Sequence, residues 1–126
     1  MQNNLSLTLR QIDDAGEMLS RRVFAASDTA PVVGEWRSGL LVSTGSVSIS
    51  LPYTQIRQCL VRNTHGSAVI TVGWTPTTGA SGPVVVLGPS DCISFWNQNT
   101  GATYGISALT LTSTVLNADY ELFLGG

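Results

Sequence analysis

The chain has 126 residues and a formal charge of −2, and only 11% of its positions carry charge, about half the usual globular share. Hydrophobic residues make up 43% of it, 28 positions are Ser or Thr, lysine is absent, and mean hydropathy is +0.21. These figures exclude a disordered chain, a coiled coil and a basic nucleic-acid binder, and they leave one β-prone domain large enough to bury a core without a disulfide or metal.

Met1-Gln2-Asn3-Asn4 has no basic segment followed by an apolar run, so no secretory signal is read there. No stretch reaches the ~18 apolar residues of a membrane span. The expectation is folding in a cytoplasm with no membrane partner. Leu5, Leu7 and Leu9 alternate with Ser6, Thr8 and Arg10, the period of a half-buried strand. Asp13-Asp14-Ala15-Gly16 reads as a turn in which Gly16 suits a positive φ. Residues 17–26 fit two readings. Ile12, Ala15, Met18, Leu19 and Val23 would line one helical face, whereas Val23-Phe24-Ala25 ahead of Ser-Asp-Thr-Ala-Pro suits a returning strand; the strand is favoured. Residues 27–38, with Pro31, Gly34 and three charges, read as an exposed connection. Residues 1–38 are therefore expected to form an N-terminal hairpin or arm with its connection, and residues 39–126 the body of one structural domain.

Leu40 and Val42 precede the turn Ser43-Thr44-Gly45-Ser46, after which Val47, Ile49 and Leu51 alternate with Ser48 and Ser50. Cys59-Leu60-Val61 is a short strand ending at the turn Asn63-Thr64-His65-Gly66. Residues 69–74 form the clearest strand, and a Thr/Gly/Ser/Pro loop follows over 75–83. Residues 84–87 and 92–96 flank Gly88-Pro89-Ser90-Asp91, where Pro89 supplies the fixed φ of a type I or II turn. The runs 106–115 and 120–124 flank Asn117-Ala118-Asp119. Nine or ten short strands with turn signals between them predict an all-β fold, a single antiparallel β-sandwich. Sheet edges are commonly protected by charge, lysine above all; their near absence of charge here predicts that copies of the chain cover one another's edges.

Chemistry is sparse. Cys59 and Cys92 lie in apolar stretches without a CxxC and read as reduced, buried thiols, a disulfide being open to them only if their strands are neighbours. His65 is the sole histidine and sits in a turn sequence, so neither a zinc site nor a nucleophile–base pair is expected. The carboxylates Asp13, Asp14, Glu17, Glu35, Asp91, Asp119 and Glu121 have no spacing that pairs any two, and Asp13 to Glu17 lacks the calcium-loop pattern. No enzyme activity, metal or cofactor is expected. Arg21-Arg22 is a candidate docking contact. Trp74 and Trp96 end strands and border polar loops, and Asn97 and Asn99 follow Trp96. Aromatic faces beside neutral amides are the chemistry of a glycan-binding face, and the competing reading is that these tryptophans cap the core or fill subunit interfaces.

From Cys59-Leu60-Val61-Arg62-Asn63-Thr64 through Ala68-Val69-Ile70-Thr71-Val72-Gly73-Trp74, Val84-Val85-Val86-Leu87-Gly88-Pro89-Ser90-Asp91 and Ile106-Ser107-Ala108-Leu109-Thr110-Leu111 to Ala118-Asp119-Tyr120-Glu121-Leu122-Phe123-Leu124-Gly125-Gly126, the cadence of strand and turn resembles the small β-sandwich virion proteins of bacteriophages. These are capsid decoration or vertex proteins and accessory tail or fibre domains. The resemblance implies a jelly-roll-like sandwich that acts without catalysis and is incorporated in many copies into a virus particle. It implies a trimer or pentamer docked on other virion proteins such as the major capsid protein, through an N-terminal arm. A tail or fibre role would add a host-surface glycan as partner. No catalytic residue is carried over.

Overall fold

Alternation of apolar with hydroxyl and charged residues produces ten strands, and no helix occurs among the described residues. The computed structural model describes residues 3–28, 34–79, 82, 84–97 and 105–126, with side chains over 6–23 and from 34 onward within those ranges. Strands β1 (Asn3–Ile12) and β2 (Met18–Asp28) form an antiparallel ribbon that is a sheet of its own. Asp13 folds its turn: Oδ1 accepts the N–H groups of Ala15 at 3.0 Å and Glu17 at 2.8 Å. Gly16 closes it at a φ of 86°, donating to the Asp13 carbonyl at 3.0 Å, a conformation that favours glycine. Residues 17–26 thus continue as a strand and not as a helix.

The body contains β3 (Gly34–Leu41), β4 (Val47–Ser48), β5 (Gln58–Asn63), β6 (Ile70–Pro76), β7 (Val84–Leu87), β8 (Cys92–Trp96), β9 (Ile106–Ser113) and β10 (Ala118–Gly125). They form two antiparallel four-stranded sheets, ordered β3-β10-β5-β8 and β4-β9-β6-β7. The pairings are nested. β6 meets β7, β5 meets β8, β4 meets β9 and β3 meets β10, so the body is one long hairpin rolled into two layers. Inward residues of both sheets form the core between them. Leu41, Val61, Ile70, Val72, Leu109, Leu111, Leu122 and Leu124 are each no more than 1% exposed, and burial of such a side chain stabilises by roughly 1.5–3 kcal/mol.

Three details differ from the sequence expectations. β3 begins at Gly34, so the strand crosses the expected boundary at Ser38. Its inward positions hold the paired Glu35 and Arg37 and then Gly39, which hides the apolar period. Gly39 is needed there, because a Cβ would lie 2.6 Å from the Tyr120 ring opposite it. The phase of the same strand is also shifted by one residue: Leu41 is buried, while Leu40 is 54% and Val42 70% exposed. Finally, only Val47–Ser48 of the alternating 47–51 run is strand, although the Ile49 N–H still donates to the Leu109 carbonyl at 2.9 Å.

Turns carry the chain between layers. In Gly88-Pro89-Ser90-Asp91, the Asp91 N–H donates to the Gly88 carbonyl at 3.1 Å and Ser90 has a φ of 68°, which makes it a type II turn with Pro89 at the second position. Asn63, fully buried, reaches the same corner. Its Nδ2 donates to the carbonyls of Ala68 (2.7 Å), Leu87 (3.2 Å) and Gly88 (3.0 Å), and its Oδ1 accepts the His65 N–H at 3.0 Å. Asn63→Ala strands these groups and should cost roughly 3 kcal/mol in urea unfolding. Thr54→Ala, at an exposed position, should stay within about 0.5 kcal/mol.

Candidate functional site

In Asp119-Tyr120-Glu121-Leu122-Phe123-Leu124 every second residue faces the core, because side chains alternate along a strand. Leu122 and Leu124 are buried, so Asp119, Glu121 and Phe123 point out of the sheet. On β3 their register partners are Leu40, Ser38 and Trp36; on β5, Arg62 stands opposite Glu121 and Leu60 opposite Phe123. Directly opposed residues share a face, so a row of aromatic rings crosses this surface. Trp36 and Phe123 have centroids 5.2 Å apart, and Phe123 stacks on Trp96 of β8 at 6.3 Å with 14° between planes. Trp36 stays 64% exposed.

Beside the aromatic row lies an open cleft of about 590 Å³ lined by Ser38, Leu40, Thr64, Asp119 and Glu121, among others. Among the described residues no ion pair reaches either carboxylate, although Arg62 of β5 stands directly opposite Glu121 on the same face. The outer face of β3 and β10 is therefore apolar at one end and acidic at the other. The signal for it was the alternation Asp119-x-Glu121-x-Phe123 within a strand. Its completion by Trp36 and Leu40 requires the register of strands some 80 residues apart.

The structure separates the two tryptophans expected to act together. Trp74 is in phase with the buried Ile70 and Val72 and packs on Phe95 at 6.2 Å, capping the core. Trp96, next to Phe95 in β8, points to the opposite face. Asn97 does lie near Trp74, lining with Pro76 and Phe95 a groove of about 180 Å³, and its N–H donates to the Arg57 carbonyl at 2.9 Å. Asn99 lies outside the described residues. Arg21 and Arg22 are exposed but face opposite sides of the ribbon, Arg21 opposite Arg10 and Arg22 opposite Leu9. His65 organises its turn, its Nδ1 accepting the N–H groups of Ser67 at 3.1 Å and Ala68 at 2.9 Å.

Both cysteines are free, and only Cys59 is buried, so the expectation of two buried thiols is corrected for Cys92. Alternation turns Ile93 and Phe95 inward and Cys92 outward. Their strands are neighbours, yet the register sets Cys59 opposite Phe95 and Cys92 opposite Arg62. That offset is about 10 Å along the strands, beyond the ~7 Å that a disulfide spans. Burial pushes the Cys59 thiol up to about 12.

No protein-family profile and no curated protein matches the sequence. A solved structure of a Bacillus endospore appendage, from a family described as disulfide-linked pili, is similar in fold. The match covers 75% of this chain and 84% of the appendage chain, with a TM-score of 0.54 and 13% sequence identity. At that identity the likeness is one of fold alone.

Two measurements check this placement of residues. A thiol reagent at about pH 8 should modify Cys92 in the native protein and reach Cys59 only after unfolding, because the thiolate is the reactive form. Trp36→Ala should leave stability within about 1 kcal/mol, whereas Trp74→Ala should cost roughly 2 kcal/mol or more through lost core packing.

Proposed function

We propose that this chain is a non-enzymatic structural subunit that works in many copies and joins its neighbours through the β1–β2 ribbon. The ribbon itself carries this reading. A two-stranded ribbon alone in water is marginally stable. Here Leu7 and Leu9 are 49% and 66% exposed, and Ile12, Met18, Leu19 and Val23 are each more than half exposed. Opposite faces are involved, since Leu9 pairs with Arg22 and Val23 with Thr8. Contact with another subunit would remove this apolar surface from water and hold the ribbon in its paired form. The edges of the body add weaker support: β4, β7 and β8 carry no charge but are two, four and five residues long, the eight-residue edge β3 carries Glu35 and Arg37, and short or charged edges already limit pairing.

The specific setting we propose is the surface of a bacteriophage virion, as a trimer or pentamer on the major capsid protein or another virion component. The nested strand order supports a jelly roll, eight strands in two Greek keys, as the finer description of the sandwich. The appendage with a similar fold is a pilus protein, which supports repeated assembly and makes a filament the alternative geometry. A host-glycan site at Trp74 and Asn97 has less support, because its groove of about 180 Å³ is below the ~300–1,000 Å³ of most ligand sites.

Light scattering of the purified chain over a range of concentrations tests the reading. The expected result is a mass several times that of one chain, falling to one folded chain when residues 1–33 are removed. A single-chain mass up to about millimolar concentration, where even weak contacts form, would overturn it.

A further inference from the structure

We propose that the ribbon's receiving surface is the acidic, aromatic outer face of β3 and β10 on a second copy of the chain, an inference that rests on the ribbon-mediated reading above. Two sets of unpaired charges carry it. On the ribbon, Arg10 stands directly opposite Arg21, so both guanidinium groups occupy one face. Among the described residues neither makes an ion pair or a side-chain hydrogen bond, although Asp13, Asp14 and Glu17 lie just beyond at the tip, where Asp13 is engaged by the turn. Like charges directly opposed weaken a strand pair, and an acidic group brought from outside relieves that repulsion.

On the body, Asp119 and Glu121 are two residues apart on β10 and therefore share a face, about 7 Å apart along the strand. The two arginines are about 5 Å apart across the ribbon, so two side chains from each surface can meet pairwise. Arg62, opposite Glu121 on β5, stands outside the cleft that both carboxylates line.

Apolar surface accompanies the charge on each side. Val23 shares the Arg10–Arg21 face of the ribbon and is 53% exposed; Leu40 and Trp36, on β3 beside the carboxylates, are 54% and 64% exposed. Cation against carboxylate and aliphatic against aromatic then occur in one contact, and the desolvated centre makes the charge pairs selective for register.

The occupant is a second copy, because in the single chain both surfaces are exposed at once: Arg10, Arg21 and Val23 on the ribbon, Trp36, Leu40 and Asp119 on the body. Such a contact is head-to-tail. A copy that inserts its ribbon into a neighbour keeps its own face open for a third, and the series closes into a ring or continues as a filament according to the rotation per step.

Charge exchange in the full-length chain tests this. Arg10→Glu with Arg21→Glu makes the ribbon acidic, and Asp119→Arg with Glu121→Arg makes the face basic. Circular dichroism and thermal melts should show both variants folded, since these side chains are surface groups. In light scattering and sedimentation, each variant alone should need at least tenfold more protein than the parent to assemble. An equimolar mixture should regain association at the parent's concentration, in alternating copies, because each variant's ribbon then meets the other's face of opposite charge. Assembly of either variant alone at the parent's concentration, or a mixture that stays dissociated, would overturn the docking surface while leaving the multi-copy reading intact. A parent chain that never assembles would overturn both.

Discussion

Asn63 stands at the end of β5, where three chain segments must meet away from water. Its amide nitrogen serves carbonyls from the β5–β6 turn and from the end of β7, and its side-chain oxygen holds the turn that leads to β6. Its backbone is engaged too: the N–H donates to the Asp91 carbonyl and the carbonyl accepts the Ser90 N–H, each at 2.9 Å. Of the small side chains, only a primary amide offers two donors beside an acceptor. An aspartate would set a carboxylate against carbonyl oxygens, and a serine would be too short to span the corner. Both passages of the chain between layers at this corner, β5 to β6 and β7 to β8, are fixed to this one side chain. The facing of the two sheets, and so the closure of the core, depends on it.

Once the layers are fixed, β10 divides its duties by alternation. It lies between β3 and β5, so its inward leucines sit in the middle of the core and its outward residues in the middle of an exposed sheet. The same six-residue stretch supplies stability on one side and a mixed acidic and aromatic surface on the other. A slip of one residue would exchange the two faces. The surface thus inherits its geometric precision from the core and needs no loop to shape it.

Much of the strand pattern was legible because hydroxyl residues alternate so regularly with Val, Ile and Leu: β7 and β8 match the sequence reading to the residue, and β6, β9 and β10 to within two. β3 was not legible, because an ion pair and a glycine occupy its inward positions and its tryptophan faces out. No rule of periodicity reports that a half-buried Glu–Arg pair and a tyrosine ring from another strand complete the layer. The candidate surface was hidden for a related reason. Asp119, Glu121 and Phe123 were individually visible, but Trp36 joins them only through a register set 87 residues away in sequence. Trp74 and Trp96 misled because strand-end tryptophans look alike in sequence, while a difference of phase sends one into the core and the other out.

The nested pairing also dictates an order of events as the chain is made. The ribbon closes over a five-residue turn, and β6 with β7 over a short loop, so both form from neighbouring segments with little loss of chain entropy. β3 has no such neighbour. Its pairing partner is β10, the last strand among the described residues, so during synthesis it must wait, unpaired, until nearly all of the body has emerged. A fold dominated by such distant pairings matures slowly, and its unfinished forms expose strand edges that invite misassociation. The pairing of the ribbon, by contrast, waits on nothing that follows Asp28 in the chain, so a partner able to hold it can engage it while the body is still open.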